Sequence, residues 1–451
     1  MKLFKGLAIV LCVALTSMFF FPFDFRALPP GMNTKKIMAA AALVILLWKL
    51  VQKRELKMDK SFLYLSILAG LVSLCGIISV TYNNTEDYAY ATYITSAWVW
   101  WGGAYTVCTF IKWVHGKVTP SLVINYLIAV CVCQCALALA MDMNKPLKLA
   151  VNSVALQGDL VFKGGVHRLY GIGACLDVAG SRFAAVLMML VFMLTHFSQE
   201  KRWYAYAIYI ASFIFITIAG NMIARTTLVG TLLGMGYLAV IAFRPSEVVK
   251  GNAIRLWKWL IGVSILAIPL AIYTYNTNPQ IQKNMRFGFE GFFNYFEEGD
   301  FNYGSTETLK NMYVLPDNPK TWIIGDAYFD NPAWTDPYYT GDITEGFYKN
   351  TDIGYLRFIF YFGVVGLLMF SFFFIEVGRT CMRRFPEWKL MFLMLLALHF
   401  IVWAKVSSDL FMAFAPFLCL DSDNGTAELY ETLRYDNDDE NETCLSDSRD
   451  V

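Results

Sequence analysis

The sequence predicts an all-α membrane protein that crosses the bilayer many times, and three features support this prediction. Of the 451 residues, 57% are hydrophobic and only 16% are charged. Apolar runs of about 20 residues, the length that a helix needs to cross the hydrocarbon core, recur along the chain. The charged residues are concentrated in short blocks between these runs. Soluble domains lack this pattern, so we expect about 12 transmembrane helices.

The predicted helices follow the apolar runs in order. Their approximate bounds are 6–23, 37–51, 61–80, 89–111, 119–141, 181–197, 204–221, 227–243, 258–275, 353–375, 390–404 and 406–420. The first run follows Lys2 and Lys5, as in a signal peptide. It is too long for one, however, and no small-residue cleavage site follows it, so we interpret it as a helix.

The Lys and Arg residues are concentrated in every second connection between predicted helices, which predicts the orientation of the chain. If the N-terminus is cytoplasmic, the basic residues fall in cytoplasmic connections. They are Lys53, Arg54, Lys57 and Lys60, then Lys112 and Lys117, Lys201 and Arg202, then Arg244, Lys250, Arg255 and Lys258, and finally Arg379, Arg383, Arg384 and Lys389. The connections at 81–88, 142–180 and 276–352 and the turn at Arg225 are then external.

Two domains follow from this layout. Residues 1–420 form the transmembrane domain, with 142–180 and 276–352 as its large external loops. Residues 421–451 are rich in Asp and Glu and poor in apolar residues, which predicts a disordered cytoplasmic tail.

Composition excludes several classes of function. The net charge is +1 and no basic stripe indicates nucleic-acid binding. Most of the ten cysteines lie in apolar runs, and the i, i+2, i+4 spacing of Cys131, Cys133 and Cys135 distributes the sulfurs around a helix. No phosphate-binding glycine loop or HExxH motif is present. We therefore expect no metal site and no cofactor.

Arg225 lies between two apolar runs with almost no loop to carry it away from lipid. A charge in this position is retained when it is paired, extends to the interface or serves a site. Its planar guanidinium suits bidentate binding of phosphate oxygens. The alternative is that Arg225 only extends to the interface or pairs with a carboxylate.

A second candidate segment ends the 142–180 loop and enters a helix. It contains His167, Arg168, Asp177 and Arg182. Arg182 opens the predicted helix, where the positive end of the dipole disfavours a cation unless an anion is bound nearby. Both arginines are candidates for anion binding, and each also has a purely structural interpretation.

The loop at 276–352 is rich in aromatic and acidic side chains, which suit sugar rings. The aromatic residues include Phe292, Phe293, Tyr295, Tyr313, Trp322, Tyr328, Trp334, Tyr338 and Tyr339, and the acids are Asp317, Asp326, Asp330, Asp336, Asp342, Glu345 and Asp352. Loops of this length in a compact protein are usually functional. The alternative is a cap whose aromatic residues form their own small core or contact headgroups.

Taken together, these segments resemble the O-antigen polymerase and O-antigen ligase superfamily over roughly residues 165–410. Arg168 to Gly171 followed by Asp177 looks like the family's entry from loop to helix. Ala224-Arg225-Thr226 looks like its Ser-Arg-Thr/Ser turn. Gly325 and the segment from Asp352 to Gly366, with Gly363 and Gly366 suited to close packing, are similar to the end of its large loop.

The resemblance implies a GT-C-like, metal-independent, inverting glycosyltransferase in the bacterial cytoplasmic membrane. Its substrate would be an undecaprenyl-pyrophosphate-linked oligosaccharide that is polymerised for O-antigen, capsule or exopolysaccharide. Expected partners are membrane lipids, a flippase and a chain-length regulator.

The roles of individual residues follow from this chemistry. Arg225, Arg168 and Arg286 suit the pyrophosphate, and Arg182, Asp177, Trp322 and Asp326 are further candidates for substrate binding. Asp352 is the candidate base, because it lies where the loop re-enters the membrane. Its alternative role is a helix N-cap.

Three alternative functions remain open. A ligase of this family is expected to carry a histidine in the large loop, but residues 276–352 contain none, and the chain's histidines are His115, His167, His196 and His399. A flippase or other transporter would carry charges along helix interiors, whereas Glu376, Lys405 and Asp409 lie near predicted helix ends. A structural scaffold would not explain the external arginines. We therefore expect a polymerase.

Overall fold

The computed structural model describes residues 2–29, 31–53, 59–156, 168–196, 203–242, 247–299, 309–331 and 346–421. The predicted tail after 421, and the predicted loop residues His167, Trp334, Asp336, Tyr338, Tyr339, Asp342 and Glu345, lie outside the described residues. The described chain is almost entirely helical, as predicted. Within the described residues, six helices are long and apolar enough to cross a membrane.

The helices follow one another with few other elements. They are α1 (Lys2–Phe20), α2 (Thr34–Lys53), α3 (Lys60–Asn83), α4 (Tyr93–His115), α5 (Pro120–Met143), α6 (Lys145–Val154), α7 (Leu176–His196), α8 (Trp203–Ile223), α9 (Thr227–Ala242), α10 (Glu247–Thr277), α11 (Pro279–Gly288), α12 (Glu290–Glu298), α13 (Pro319–Ile323), α14 (Gly354–Arg384), α15 (Lys389–Val402) and α16 (Phe411–Leu418). A two-residue strand pair, β1 (Asp24–Phe25) and β2 (Ala155–Leu156), is antiparallel.

Each predicted helix overlaps a helix of the structure, but three differences affect the site. Helix α7 begins at Leu176 instead of 181, so Arg182 lies in its second turn. The last predicted helix begins only at Phe411, and the backbone from 403 to 410 is irregular. The predicted external loops also contain the short helices α6, α11, α12 and α13. Their amphipathic sequences lack the long apolar run that identifies a membrane span.

Helix α7 is the centre of the bundle and is almost wholly buried. It packs against α5, α8, α9 and α15. Its contact with α9 is close, because a Cβ at Gly230 would lie 2.3 Å from the Cα of Ala184. Small residues at such crossings allow backbones to approach, which compensates for the weak hydrophobic driving force between helices in lipid.

The segments that we predicted to be external meet at one end of the bundle. Asp87 accepts a hydrogen bond from the backbone N–H of Phe329 (2.7 Å), which joins the 81–88 connection to the long loop. Asp142 accepts hydrogen bonds from Gln280 (3.0 Å) and Asn284 (2.7 Å). This shared location agrees with the alternation of basic connections, since loops on one side of a membrane are expected at one end of the bundle.

Helix α14 is broken near its start, at Phe362 and Gly363. Gly363 has a φ of +70°, and a Cβ there would lie 2.1 Å from the carbonyl oxygen of Ile323. The break frees two carbonyl oxygens, which accept hydrogen bonds from the backbone N–H groups of Asp326 (2.6 Å) and Ala327 (3.1 Å). The long loop is thereby fixed to the membrane-spanning helix by backbone hydrogen bonds.

Candidate functional site

A cavity of about 470 Å³ lies at the end of the bundle where the predicted external segments meet. Its volume is within the usual range for small-molecule sites. The lining combines charged, hydroxyl and aromatic side chains. It consists of Arg168, Leu169, Tyr170, Cys175, Leu176, Asp177, Val178, Phe329, Phe347, Asp352, Arg357, Val406, Ser407 and Ser408. Three residues predicted for the site, Arg168, Asp177 and Asp352, therefore share one cavity.

Asp352 lies in this cavity immediately before α14, with its side chain 23% exposed. Burial raises the pKa of its carboxyl group from the usual 3.8 to about 7, and the nearby charge of Asp177 adds to this effect. The Arg357 guanidinium, 3.7 Å away, acts in the opposite direction. The N-cap position of α14 is Ile353 and has no side-chain cap, so Asp352 does not serve as the helix cap. A carboxyl group with a pKa near 7 is suited to proton transfer at neutral pH.

Arg357 holds one wall of the cavity in place. Its guanidinium lies between the rings of Phe329 (3.6 Å to the centroid) and Phe347 (4.3 Å). It donates hydrogen bonds to the carboxylate of Asp330 (2.6 Å) and to the hydroxyl of Ser407 (2.9 Å). Arg357 thus ties the long loop, α14 and the irregular 403–410 segment together next to Asp352.

Asp177 connects three elements at the opposite wall. Lys405 donates to its Oδ1 (3.0 Å) and to the hydroxyl of Thr226 (3.2 Å), and Thr226 itself donates to Asp177. Asp177 lies in the first turn of α7, where the helix dipole favours a negative charge. This arrangement positions the Arg225 turn against the cavity.

Arg168 and Arg225 share one aromatic surface. The Cζ atoms of Arg168 and Arg225 lie 5.0 Å and 4.5 Å from the centroid of Phe287. Arg225 is 16% exposed and forms an ion pair with Glu290 at the start of α12. The carboxylate pairing considered as an alternative for Arg225 is therefore present. Both guanidinium groups nevertheless lie within 5.0 Å of the centroid of the same Phe287 ring.

The remaining predicted residues lie outside the cavity lining. Arg286 is exposed and pairs with Glu297 (2.5 Å) and Tyr275 (2.9 Å). The indole N–H of Trp322 donates to the carbonyl oxygen of Pro316 (3.0 Å). Asp326 binds Lys320 (2.6 Å) and Thr321 (2.6 Å). These contacts give Trp322 and Asp326 a role in fixing the loop, and their predicted role in substrate binding stays a prediction.

Part of the long loop forms a small core of its own. Tyr328 and Tyr348 pack with Ile353, Leu356 and Phe360. The alternative interpretation of the loop aromatics therefore holds for these two tyrosines. They support the cavity wall that carries Phe329 and Asp352.

Sequence reasoning missed Arg357 and Lys405, and it placed too few charges inside helices. Glu376, which we predicted near a helix end, is buried inside α14, and Arg182 and Arg357 are also buried within helices. Arg357 stands in the segment that the resemblance singled out, four residues after Ile353. Its spacing from the loop acids could have indicated a pairing role.

The arrangement provides a carboxyl group that exchanges a proton near neutral pH, cations for an anion, and aromatic surfaces for an organic group. Helix ends and loops at one end of the bundle supply all of them. No family model, no curated protein and no solved structure matches the chain.

Proposed function

We propose that this protein is a polysaccharide polymerase that joins lipid-linked oligosaccharide repeats at the outer face of the bacterial cytoplasmic membrane. In the proposed topology, the chain crosses the membrane about 12 times, and residues 142–180 and 276–352 are external. The observation that carries the proposal is the location of Asp352, with its raised pKa, in the same cavity as Arg168.

In the proposed reaction, a hydroxyl of one lipid-linked repeat attacks the anomeric carbon of another. A new C–O bond forms, the bond to the pyrophosphate breaks, and the pyrophosphate takes the electron pair. Asp352 accepts the proton of the attacking hydroxyl. Arg168 and Arg225 stabilise the negative charge that develops on the leaving pyrophosphate.

The aromatic and hydroxyl lining supports a sugar as the organic group. The rings of Phe329 and Phe347 and the serines Ser407 and Ser408 are all part of the lining. Sugars combine apolar ring faces with many hydroxyl groups, so both kinds of side chain contribute to binding.

The direct test is reconstitution of the purified protein in membranes with lipid-linked repeats, followed by analysis of chain length. We expect chains longer than one repeat, and we expect Asp352→Asn to shorten them to the starting repeat. Transfer of preformed chains to a lipid A core, without elongation, would assign a ligase instead. Normal polymerisation by Asp352→Asn would remove only the assignment of the base.

A further inference from the structure

A second group of cations lies in the interior of the bundle, next to the cavity. Arg182 is buried in the second turn of α7, and its Nε has no hydrogen-bond partner in the described part of the chain. Its Cζ lies 5.7 Å from the ring centroids of both Phe21 and Trp100. The Nζ of Lys35 lies 4.5 Å from the centroid of the same Trp100 ring. One indole therefore brings two cations together.

Asp409 is the acidic group that acts electrostatically on both cations. Its Oδ1 also accepts the backbone N–H of Phe411 (3.2 Å), so one oxygen is already engaged. Among the described residues, the cluster has one carboxylate for two cations, which is a formal excess of one positive charge. An uncompensated charge among apolar helices is costly, and the positive end of the α7 dipole adds to the potential.

The cluster adjoins the cavity. Ser181 and Ser408 precede Arg182 and Asp409 in sequence, and their hydroxyl groups lie 3.3 Å apart. Ser408 and Cys175 line the cavity, and Cys175 also interacts electrostatically with Arg182. The chain next to each charged residue thus reaches the cavity lining or a residue in contact with it.

We propose that Arg182 and Lys35 form a phosphate-binding site inside the bundle, distinct from the Arg168–Arg225 pair. A guanidinium offers a planar set of donors and an ammonium a point charge, which together suit a phosphate group with a charge near −2. The phosphate group comes from a lipid headgroup or from free phosphate, and the experiment distinguishes these two sources.

The experiment measures thermal unfolding of the full-length protein in lipid nanodiscs with added inorganic pyrophosphate or polyprenyl pyrophosphate. We expect the ligand to raise the unfolding midpoint of the wild type and of an Arg168→Gln/Arg225→Gln double variant. In the Arg168→Gln/Arg225→Gln background, where that pair no longer contributes, Arg182→Gln should weaken the apparent affinity for the ligand by about tenfold or more. Arg383→Gln, an exposed charge at the other end of the bundle, is the matched control and should bind as the wild type does.

Asp409→Asn should change the affinity in the opposite direction. Because it removes the negative charge beside the two cations, the apparent affinity for pyrophosphate should rise. If Asp409→Asn instead lowers the affinity, or if both Arg182→Gln and Lys35→Gln bind like the wild type, the site is overturned. If Arg182→Gln does not fold, Lys35→Gln and Asp409→Asn still decide the outcome.

The two ligands identify the source of the phosphate group. A shift with inorganic pyrophosphate that depends on Arg182 indicates that the free anion is sufficient. A shift with polyprenyl pyrophosphate alone, again dependent on Arg182, assigns the lipid headgroup. The absence of a shift with either ligand overturns the proposal. Chain elongation is a separate measurement, so loss of the polymerase assignment leaves this site standing.

Discussion

Opposing electrostatic effects set the pH range in which Asp352 carries a proton. Burial and the charge of Asp177 favour the neutral acid, and Arg357 favours the carboxylate. An acid whose pKa is raised in the folded state binds its proton more tightly there than in the unfolded chain. Its ionisation therefore reduces stability as the pH rises from about 4 to about 7.

The rate of chain elongation should rise with pH until Asp352 is ionised. Below the pKa of about 7, the rate is expected to increase by about tenfold per pH unit, and it should level off above pH 7. Asp352→Asn should lower the rate by on the order of 100-fold or more and abolish this pH dependence. Initial rates measured in proteoliposomes between pH 5 and pH 9 provide the data.

Unfolding of the same variant serves as a control for misfolding. At pH 8, Asp352→Asn should be at least as stable as the wild type, because the buried negative charge is gone. At pH 4 to 5 the two proteins should be alike. A variant that is less stable at pH 8 would show that the carboxylate is mainly structural.

Arg225→Lys separates the charge of this residue from its shape. Lysine keeps the charge and the pairing with Glu290 but lacks the planar fork that stacks on Phe287. We expect normal insertion in the membrane and a loss of elongation rate of about 100-fold. Glu290→Gln, which leaves the guanidinium intact and unopposed by this acid, should retain the rate. Wild-type polymer length in an Arg225→Ala strain would contradict the pyrophosphate role.

At the scale of elements, α14 and the long loop depend on two glycines. Gly325 has a φ of +86°, and a Cβ there would lie 2.4 Å from the carbonyl oxygen of Tyr361. A Cβ at Gly363 would likewise lie 2.1 Å from the carbonyl oxygen of Ile323. The two glycines lie at one close contact between the loop and α14. At this contact, the backbone N–H groups of Asp326 and Ala327 donate to the free carbonyl oxygens of α14.

Gly363→Ala should destabilise the protein by on the order of 2–4 kcal/mol, because it adds a clash with backbone to a left-handed conformation. Gly262→Ala is the matched control, since a Cβ there meets nothing within 4 Å in helix α10. That substitution should be neutral or stabilising. Denaturant unfolding of both variants in detergent tests the difference. Equal stability of the two variants would show that the close contact at Gly363 does not contribute to stability.

The sequence was sufficient to predict the helices because long apolar runs follow directly from the thickness of a bilayer. It was also sufficient to group Arg168, Asp177 and Asp352, since each lies where a predicted external segment meets a helix. Lys405 was missed because it stands at the end of an apolar run, and only the irregular backbone after Trp403 directs it towards Asp177. Arg286 was indistinguishable from the other arginines until its pairing with Glu297 was visible.

At the scale of the whole molecule, both ends of the bundle are joined by contacts between distant segments. One end holds the predicted external segments and the cavity. At the other end, Arg384 pairs with Asp59 and donates to the carbonyl oxygen of Leu418 (2.6 Å). Asp59 and Arg384 belong to connections that carry the basic residues and are predicted to be cytoplasmic.

Cysteine labelling of intact cells tests the predicted sides. In a cysteine-free background, Glu86→Cys should react with a membrane-impermeant maleimide from outside. Ala427→Cys, in the same background without Cys419 and Cys444, should react only after the membrane is permeabilised. External labelling of Ala427→Cys would reverse the topology.

An irregular segment, residues 403–410, separates α15 from α16 and contributes to the cavity lining. Helix α15 has 14 residues and α16 has 8, so they rise about 21 Å and about 12 Å, and neither crosses a core about 30 Å thick. Non-helical backbone at such a depth is tolerated only inside protein or beside a water-filled space. The polar segment with Ser407 and Ser408 is therefore expected to lie inside the protein, beside the cavity that it lines. Under the proposed function, a sugar that reaches Ser407 and Ser408 would leave the headgroup plane, so longer acyl chains in the surrounding lipid are expected to slow its access.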